Sequence, residues 1–325
     1  MPGEFDIIKN YFSQKQTSRK DVHLDIGDDC AIVQAPDNAR IAITTDTLVE
    51  GTHFLPGVNP AWVAYKALAS NISDLAAMGA TPAWCSLALT LPSIDENWIE
   101  SFSSAFFRLA DYYNIKLIGG DTTKGSLSIT ITIQGFVPKE RAMLRSGANP
   151  GDWIYVTGEL GDSQAGLDII LDPQLKQSPN ADVLEERHYI STPRILAGQA
   201  LVNVASSAID ISDGLISDLQ HILKASEVGA RLNLEKLPYT DELLEYLKND
   251  REKAMQYALT SGEEYELCFT IPDYSRVALE SAMAHTGTRY TCIGQIQAGN
   301  KLALYLNNNK IDWQLAGYDH FQRGK

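Results

Sequence analysis

The stretch that decides the fold covers residues 26–54 and reads IGDDCAIVQAPDNARIAITTDTLVEGTHF. It contains two apolar runs rich in β-forming residues, and each run lies next to carboxylates. Asp28 and Asp29 precede the first run, and Asp46 follows the run Ile41–Thr45. Because a carboxylate is costly to bury inside a sheet, these aspartates are expected at strand ends, facing water or an ion.

The same pattern of an apolar run next to an aspartate recurs along the chain. It is found in NISDLAAMG with Asp74, in LIGGDTT with Asp121, and in IDISDG with Asp210 and Asp213. One such aspartate alone is most simply a helix cap or a turn residue. Five clusters with one pattern are better explained as ligands of a hard cation such as Mg²⁺, which prefers carboxylate and hydroxyl oxygens.

Length and composition limit the classes of protein to consider. The 325 residues are 44% hydrophobic, which is typical of a globular chain with two domains. The net charge of −14 argues against a nucleic acid or an anionic membrane as a partner. No apolar stretch reaches the ~20 residues of a membrane helix, and no signal-peptide pattern opens the chain. We therefore expect a cytoplasmic protein.

The cysteines indicate a reducing compartment. Cys30, Cys85, Cys268 and Cys292 are far apart and form no CxxC pair. Each lies in an apolar run, so all four are expected to be buried free thiols. The acidic clusters also have few His or Cys neighbours, which favours Mg²⁺ over Zn²⁺.

Helices and strands are predicted to alternate in both halves, which is typical of an α/β fold or of α+β layers. A helix is predicted from Pro60, with Asn59 as its N-cap and Gly79 just beyond its end. The strict alternation of Ser128–Val137 predicts a strand, which would leave an open sheet edge unless it were paired.

The segment that begins at Pro138 is rich in proline, glycine and charge, and marks a boundary between two domains. We place these domains at residues 1–138 and 139–325. Arg145 lies in this segment, where it could reach a phosphate or be an exposed arginine of a linker.

The second half contains no known phosphate loop. Gly158, Gly161 and Gly166 precede or open a helix, but their spacing fits neither GxGxxG nor GxxxxGK[ST]. Ser212 and Asp213 lie at a strand-to-helix junction, where caps and phosphate sites both occur. Protein-kinase signatures are missing too, so an ATP-dependent enzyme of another kind is indicated.

Taken together, seven motifs resemble the thiamine-monophosphate kinase family, which belongs to a superfamily with aminoimidazole-ribonucleotide synthetase and selenophosphate synthetase. The motifs occur in the family's order and span almost the whole chain: IGDDCAIV, TTDTLVEGTHF, NISDLAAMGA, LIGGDTT, GELGDSQAGL, IDISDGL and SGEEYEL. Two small departures exist. SGEEYEL stands where GGEDYEL is more usual, and Thr44 stands where serine is often found.

The resemblance implies ATP-dependent phosphorylation of thiamine monophosphate to thiamine diphosphate, with several Mg²⁺ ions. The implied fold has an N-terminal α/β domain that forms an intersubunit β-barrel in a homodimer, followed by a C-terminal α/β domain. Direct in-line transfer is plausible chemistry, since the acceptor is a phosphate monoester with a second pKa of about 6 and needs no strong base.

The resemblance also implies roles for individual residues. The implied metal ligands are Asp29, Thr44, Thr45, Asp46, Asp74, Asp121, Asp210 and Asp213. The implied ATP contacts are Gly120, Asp121, Arg145 and Ser212. The implied thiamine monophosphate contacts are His53, Glu263 and Trp313. The residues expected to carry catalysis are Asp46, Asp121, Asp213 and Arg145.

Other readings remain open. Trp313 and Glu263 could simply pack the C-terminus and cap a turn. The chain could also be a related ATP-dependent synthetase for a purine precursor, or a nucleotide-binding regulatory module without turnover. Selenophosphate synthetase is disfavoured, because Cys30 is expected inside an apolar strand and no cysteine lies in a glycine-rich N-terminal segment.

Overall fold

The computed structural model describes residues 3–13, 16, 18–315 and 318. The chain divides into two compact units. The first unit comprises Met1–Leu75 and Ala80–Glu140, and the second comprises Ala76–Gly79 and Arg141–Lys325. Over the described residues, no helix is both long and apolar enough to cross a membrane.

The first unit is built from strands and helices that alternate after an initial pair of short strands. Its strands are β1 Val22–Leu24, β2 Ile32–Val33, β3 Ala39–Val49, β4 Thr81–Leu91, β5 Lys116–Lys124 and β6 Ser128–Pro138. Its helices are α1 Glu4–Ile7, which continues as a π-helix over Ile8–Phe12, then α2 Pro60–Ala77 and α3 Glu96–Tyr112.

Within the described residues, β3, β6, β4 and β5 form a four-stranded sheet in that order. Along β6 the side chains alternate as the sequence predicts, with Ile129, Ile131 and Ile133 fully buried. On β3, by contrast, Ile41 and Ile43 are 44% and 65% exposed. The edge strands of this sheet are β3 and β5. The expectation of an edge at residues 128–137 is wrong, because β6 is paired on both sides.

The predicted helix signals are confirmed in α2. Asn59 accepts a hydrogen bond from the Ala61 N–H at 3.0 Å, which caps α2. Gly79, just beyond its end, has a φ of 67° in the left-handed region. Asp95 caps α3 by accepting from the N–H groups of Asn97 and Trp98.

The expectation that the acidic residues end their strands is wrong for two of them. Asp46 lies inside β3, which pairs with β6 along its whole length from Ala39 to Val49. Asp121 lies inside β5. A continuous ladder of backbone hydrogen bonds holds both strands extended through their aspartates, which therefore sit on a face of the sheet and not at its edge.

The expected burial of the cysteines holds for two of the four. Cys85 and Cys268 are buried, Cys292 is partly buried, and Cys30 is exposed; all are free. Cys30 lies in a bend, because the strand expected around it shortens to β2.

The second unit contains the remaining elements. Its strands are β7 Trp153–Thr157, β8 Ser207–Asp210, β9 Gly229–Asn233, β10 Leu267–Ile271, β11 Tyr290–Gln297, β12 Leu302–Leu306 and β13 Asn309–Ile311. Its helices are α4 Asp162–Leu171, α5 Ala181–Tyr189, α6 Ile195–Leu201, α7 Leu215–Ser226, α8 Asp241–Tyr246, α9 Arg251–Thr260 and α10 Arg276–Met283.

In the described part of this unit the strands form one mixed sheet with the order β13-β12-β9-β11-β7-β10-β8. The pairing of β12 with β9 is parallel, whereas β10 pairs antiparallel with both β7 and β8. One hydrophobic cluster joins the buried residues of β7, β8 and α7. The sheet therefore brings the end of β8 next to the residues that precede β10.

Helices α4 and α5 approach closely at Gly166. A Cβ atom at this position would lie 2.3 Å from the Leu184 carbonyl oxygen and 2.9 Å from the His188 Cβ. Contacts below 3.0 Å are not tolerated without movement, and the first is to backbone. Glycine is therefore required here by the packing of the two helices.

We predict that Gly166→Ala destabilises the protein. Alanine stabilises a helix by ~1 kcal/mol relative to glycine. The added methyl group would, however, push α4 away from α5, which should destabilise the fold by about 1–3 kcal/mol. Thermal unfolding should show a lower Tm. Gly119→Ala is the matched control, because nothing lies within 4 Å of a Cβ there. An unchanged or higher Tm for Gly166→Ala would contradict the packing argument.

Candidate active site

In the first unit, two carboxylates meet between β3 and α2. The Thr44 hydroxyl donates a hydrogen bond to the Asp74 carboxylate. Burial and, to a lesser extent, the negative charge of Asp74 raise the pKa of Asp46 to about 6, although a hydrogen bond from Ser70 opposes the shift. The two carboxylates repel each other, and a bound cation would relieve this repulsion. Carboxylate and hydroxyl oxygens are also the ligands that Mg²⁺ prefers, so this group fits Mg²⁺.

Thr45 does not join this group through its side chain. Successive side chains of a strand point to opposite faces, so Thr45 faces away from Thr44 and Asp46. Its hydroxyl is 2.8 Å from the Thr132 hydroxyl on the neighbouring strand. Metal binding by Thr45 stays a prediction.

Asp29 and Asp121 are exposed. Among the described residues, no three His, Cys, Asp or Glu side chains are grouped so that they could hold a metal ion. Mg²⁺ commonly needs only one or two protein carboxylates, with phosphates and waters as its other ligands. The role of these two aspartates as metal ligands stays a prediction.

Gly120, the expected ATP contact, is held close to β4. A Cβ atom there would lie 1.9 Å from the Leu87 carbonyl oxygen, and the φ of Gly120 is +155°. The LIGGDTT motif therefore needs glycine at this position for the packing of β5 on β4, whatever else it binds.

His53 is oriented by backbone contacts. The Val49 N–H donates to His53 Nδ1 at 3.0 Å, so the neutral ring carries its proton on Nε2. The Lys66 ammonium donates to the His53 carbonyl at 3.2 Å and is only 1% exposed. The sequence reading missed Lys66, although a lysine among the apolar residues of α2 is a detectable signal, since lysine is rarely buried.

The second unit brings two distant motifs together. The Glu263 N–H donates to the Ser212 carbonyl at 2.7 Å, and the Tyr265 N–H donates to the Ile211 carbonyl at 2.9 Å. Asp210 ends β8 and is buried. The IDISDG and SGEEYEL motifs are thus adjacent, which places Asp210, Ser212 and Glu263 in one region; their roles in binding stay predictions.

Two backbone amides that lie just before α7 are already occupied. Asp218 accepts hydrogen bonds from the Ser212 and Asp213 N–H groups, both at 3.0 Å. Burial raises the pKa of Asp218 to about 7, although these hydrogen bonds act in the opposite direction. The Ser212 and Asp213 amides of the SDG junction are therefore bound within the chain. The sequence reading missed Asp218.

The amides that open α4 are occupied in the same way. Glu264 accepts from the Gly161 N–H at 2.8 Å, from the Ser163 N–H at 3.3 Å and from the Ser261 hydroxyl. Although the residue keeps some exposure, burial of its carboxylate raises the pKa of Glu264 to about 8, and the charge of Asp162 adds to the shift. The glycine loop at residues 158–166 is thus closed by a carboxylate.

Arg145 lies far from Ser212 within this unit. The Ser226 hydroxyl donates to the Arg145 carbonyl at 3.2 Å, and Ser226 is the last residue of α7. Ser212 lies just before the opposite end of this 12-residue helix, ~18 Å away at 1.5 Å per residue. The exposed Arg145 side chain could therefore contact only a different part of a nucleotide from Ser212.

Trp313 is partly buried and packs against the hydrophobic cluster of the second unit. This contact is the one that a packing residue would make. Its role as a contact to thiamine monophosphate stays a prediction.

The comparisons with known proteins cover nearly the whole chain. The AIR synthase related protein family models match residues 27–137 (N-terminal domain) and 149–307 (C-terminal domain). Thiamine-monophosphate kinase of Escherichia coli (strain K12) is 55% identical over 323 residues, which are 98% of each chain.

Two solved structures are also similar. Thiamine-monophosphate kinase from Stenotrophomonas maltophilia K279a is 40% identical with a TM-score of 0.83, over 90% of this chain and 93% of that chain. AaThiL complexed with AMPPCP and TMP is 33% identical with a TM-score of 0.78, over 91% of this chain and 92% of that chain.

The chain belongs to the thiamine-monophosphate kinase family. The resemblance inferred from seven motifs is confirmed, and so is the two-domain α/β fold of the AIR synthase related proteins. The assignment of individual residues in this member of the thiamine-monophosphate kinase family stays a prediction.

We predict that Glu264 makes stability fall as pH rises. Its raised pKa means that the folded chain holds a proton that the unfolded chain releases above the ordinary value of 4.5. The stabilisation is complete below that value and is lost as pH approaches about 8. Urea unfolding should show that the free energy of unfolding, relative to Glu264→Gln, falls by at most about 1.4 kcal/mol per pH unit in this window.

The control for this measurement is Glu186→Gln, which changes an exposed glutamate on α5. It should leave the pH dependence of wild type intact. The raised pKa would be contradicted if the free energy of unfolding of wild type, relative to that of Glu264→Gln, stayed constant or increased with pH.

Proposed function

We propose that this chain transfers the terminal phosphoryl group of ATP to thiamine monophosphate, giving thiamine diphosphate and ADP, the last step of thiamine diphosphate synthesis. The observation that carries the proposal is the 55% identity to a thiamine-monophosphate kinase over 98% of both chains. We place the reaction in the cytoplasm, where ATP is supplied.

Phosphorylation of this acceptor requires little help with proton transfer. Its phosphate monoester has a second pKa of about 6, so an oxygen nucleophile is largely deprotonated at neutral pH. The main barrier is the approach of two polyanions, which positive charge and alignment lower. A chain with a net charge of −14 can meet this demand only with local cations, which is why Mg²⁺ is part of the proposal.

The residues proposed to hold Mg²⁺ lie in both units. They are Asp29, Thr44, Thr45, Asp46, Asp74 and Asp121 in the first, and Asp210 and Asp213 in the second. Bound Mg²⁺ would neutralise phosphate charge and align the reacting oxygens. The crowding of Asp46 and Asp74 supports the first-unit assignment, since each carboxylate disfavours the charge of the other.

The nucleotide is proposed to contact Gly120, Arg145 and Ser212. The amides of Gly161 and Ser163 at the start of α4 and those of Ser212 and Asp213 before α7 take no part, because Glu264 and Asp218 already accept their hydrogen bonds. Phosphate binding thus depends on the metal ligands, including the catalytic Asp121 and Asp213, and on Arg145.

The thiamine end of the acceptor is proposed to contact His53, Glu263 and Trp313. Thiamine carries a cationic thiazolium and an aminopyrimidine, so a carboxylate such as Glu263 and an aromatic face are suitable partners. The Nε2–H of His53 is a donor, since Nδ1 accepts from the backbone.

The discriminating experiment supplies the purified chain with Mg·ATP and either thiamine monophosphate or formylglycinamidine ribonucleotide. Phosphorus NMR should show thiamine diphosphate and ADP with the first acceptor and no product with the second. Turnover of the purine precursor would identify a related synthetase, and nucleotide binding without turnover of either would identify a regulatory module.

Removal of one charge at the first-unit carboxylates should abolish this turnover. We predict that Asp46→Asn remains folded but loses nearly all activity, because an amide of the same shape cannot replace a carboxylate ligand. Asp37→Asn, in an exposed turn, is the control and should turn over as wild type does. Near wild-type turnover of Asp46→Asn at limiting Mg²⁺ would refute the role of Asp46.

The chain is also proposed to form a homodimer through its first unit. The edge strand β3 exposes Ile41 and Ile43, and long exposed edges are usually covered. Pairing with a second copy would extend the sheet, as an intersubunit barrel requires.

Sedimentation at micromolar concentration should therefore give a dimer. Ile43→Glu should shift the chain towards monomer, because it places a charge on this exposed face of β3. Ile94→Glu changes another partly exposed isoleucine, 39% exposed and outside the sheet, and should leave the dimer intact. A stable wild-type monomer would refute the proposal.

A further inference from the structure

His188 links Glu263 to the start of α4. It lies near the end of α5 and is 4% exposed. Its Nε2 atom lies 3.3 Å from Glu263 Oε2. Its Nδ1 atom lies 3.0 Å from the Ser163 hydroxyl and 3.1 Å from the Ser163 carbonyl oxygen. A buried side chain with polar contacts at both ring nitrogens connects the proposed substrate contact to the core of the second unit.

The ring must donate to Glu263. A carboxylate only accepts, so a hydrogen bond at Nε2 requires a proton on that nitrogen. Nδ1 then accepts from the Ser163 hydroxyl when the ring is neutral, or donates to the Ser163 carbonyl when the ring is charged. Both forms direct an N–H group at Glu263, and both fix the ring plane through Ser163.

The three residues do not form a nucleophilic triad. Ser163 is 2% exposed in the first turn of α4, so its hydroxyl cannot reach a substrate. Glu263, by contrast, has 27% of its side chain exposed. The contacts from Ser163 through His188 therefore end at the Glu263 carboxylate on the surface. This arrangement is expected where buried residues hold a ligand-binding residue in place.

Glu263 is also held by its backbone. Its φ of 59° is unusual for a residue other than glycine, and its N–H donates to the Ser212 carbonyl. The following Glu264 caps α4 next to Ser163. The absence of a side chain at Gly166 allows α5 to come close enough for His188 to reach Ser163.

We propose that His188 is a positioning residue for thiamine recognition: it holds the Glu263 carboxylate in the orientation that binds the cationic, amine-bearing end of the acceptor. This role rests on the proposed function. Because His188 is buried and lies 3.3 Å from Glu263, the loss of its side chain is expected to act through Glu263 and so on recognition of the acceptor.

The test compares His188→Leu, which removes both hydrogen bonds, with His188→Gln, whose amide can still donate to Glu263. His188→Leu should raise KM for thiamine monophosphate about tenfold, with KM for ATP and kcat within about twofold of wild type. His188→Gln should recover most of the loss. His285→Gln, at an exposed position, is the control.

A double-mutant cycle with Glu263→Gln separates positioning from packing. If His188 acts through Glu263, the double variant has the same KM for thiamine monophosphate as Glu263→Gln alone. The role of His188 would be overturned if the effects of the two substitutions on KM were additive. It would also be overturned if His188→Leu lowered Tm and left both KM values unchanged. In either case, formation of thiamine diphosphate by wild type would still uphold the proposed function. Absence of thiamine diphosphate with wild type would overturn both.

Discussion

The rest of the structure depends on one constraint: several carboxylates lie close together and are partly buried. In the first unit the charge of Asp74 and burial act together on Asp46 and raise its pKa to about 6. In the second unit burial and Asp162 act in the same way on Glu264. The surroundings differ, however. Asp162 is paired with Arg187 and Glu264 caps a helix, whereas Asp46 lies beside a second carboxylate, Asp74, and has a hydrogen bond from Ser70. Such a place is suited to a cation.

Internal carboxylates occupy backbone amides at the start of α4 and just before α7. A helix N-terminus attracts anions through its unpaired N–H groups. At α4, Glu264 accepts from the Gly161 and Ser163 N–H groups, and Asp218 accepts from the Ser212 and Asp213 N–H groups that precede α7. A phosphate at any of these amides would have to displace a carboxylate. The proposed function therefore assigns nucleotide binding to ions and to side chains, and it gives the acidic motifs a role in binding a substrate of the same sign.

The sequence predicted local features well and long-range features poorly. The cap at Asn59 and the alternation along β6 each depend on residues close in the chain, and both are confirmed. The end of β3 was misplaced, because pairing with β6 carries the strand through Asp46. The short strand β1 was missed, since its position depends on tertiary packing, which a local pattern does not contain.

The candidate site shows the same division. Its residue types were predictable from recurring motifs, whereas its assembly was not. Residues 211–213 and 263–265 meet only because β10 pairs antiparallel with β8, an arrangement that no motif specifies. Two left-handed residues, Glu263 and Tyr265, then turn the chain so that one glutamate reaches His188 and the next reaches α4. Neighbouring glutamates of one motif thus have different tasks: Glu264 completes the fold, and Glu263 is left at the surface on a rigid support.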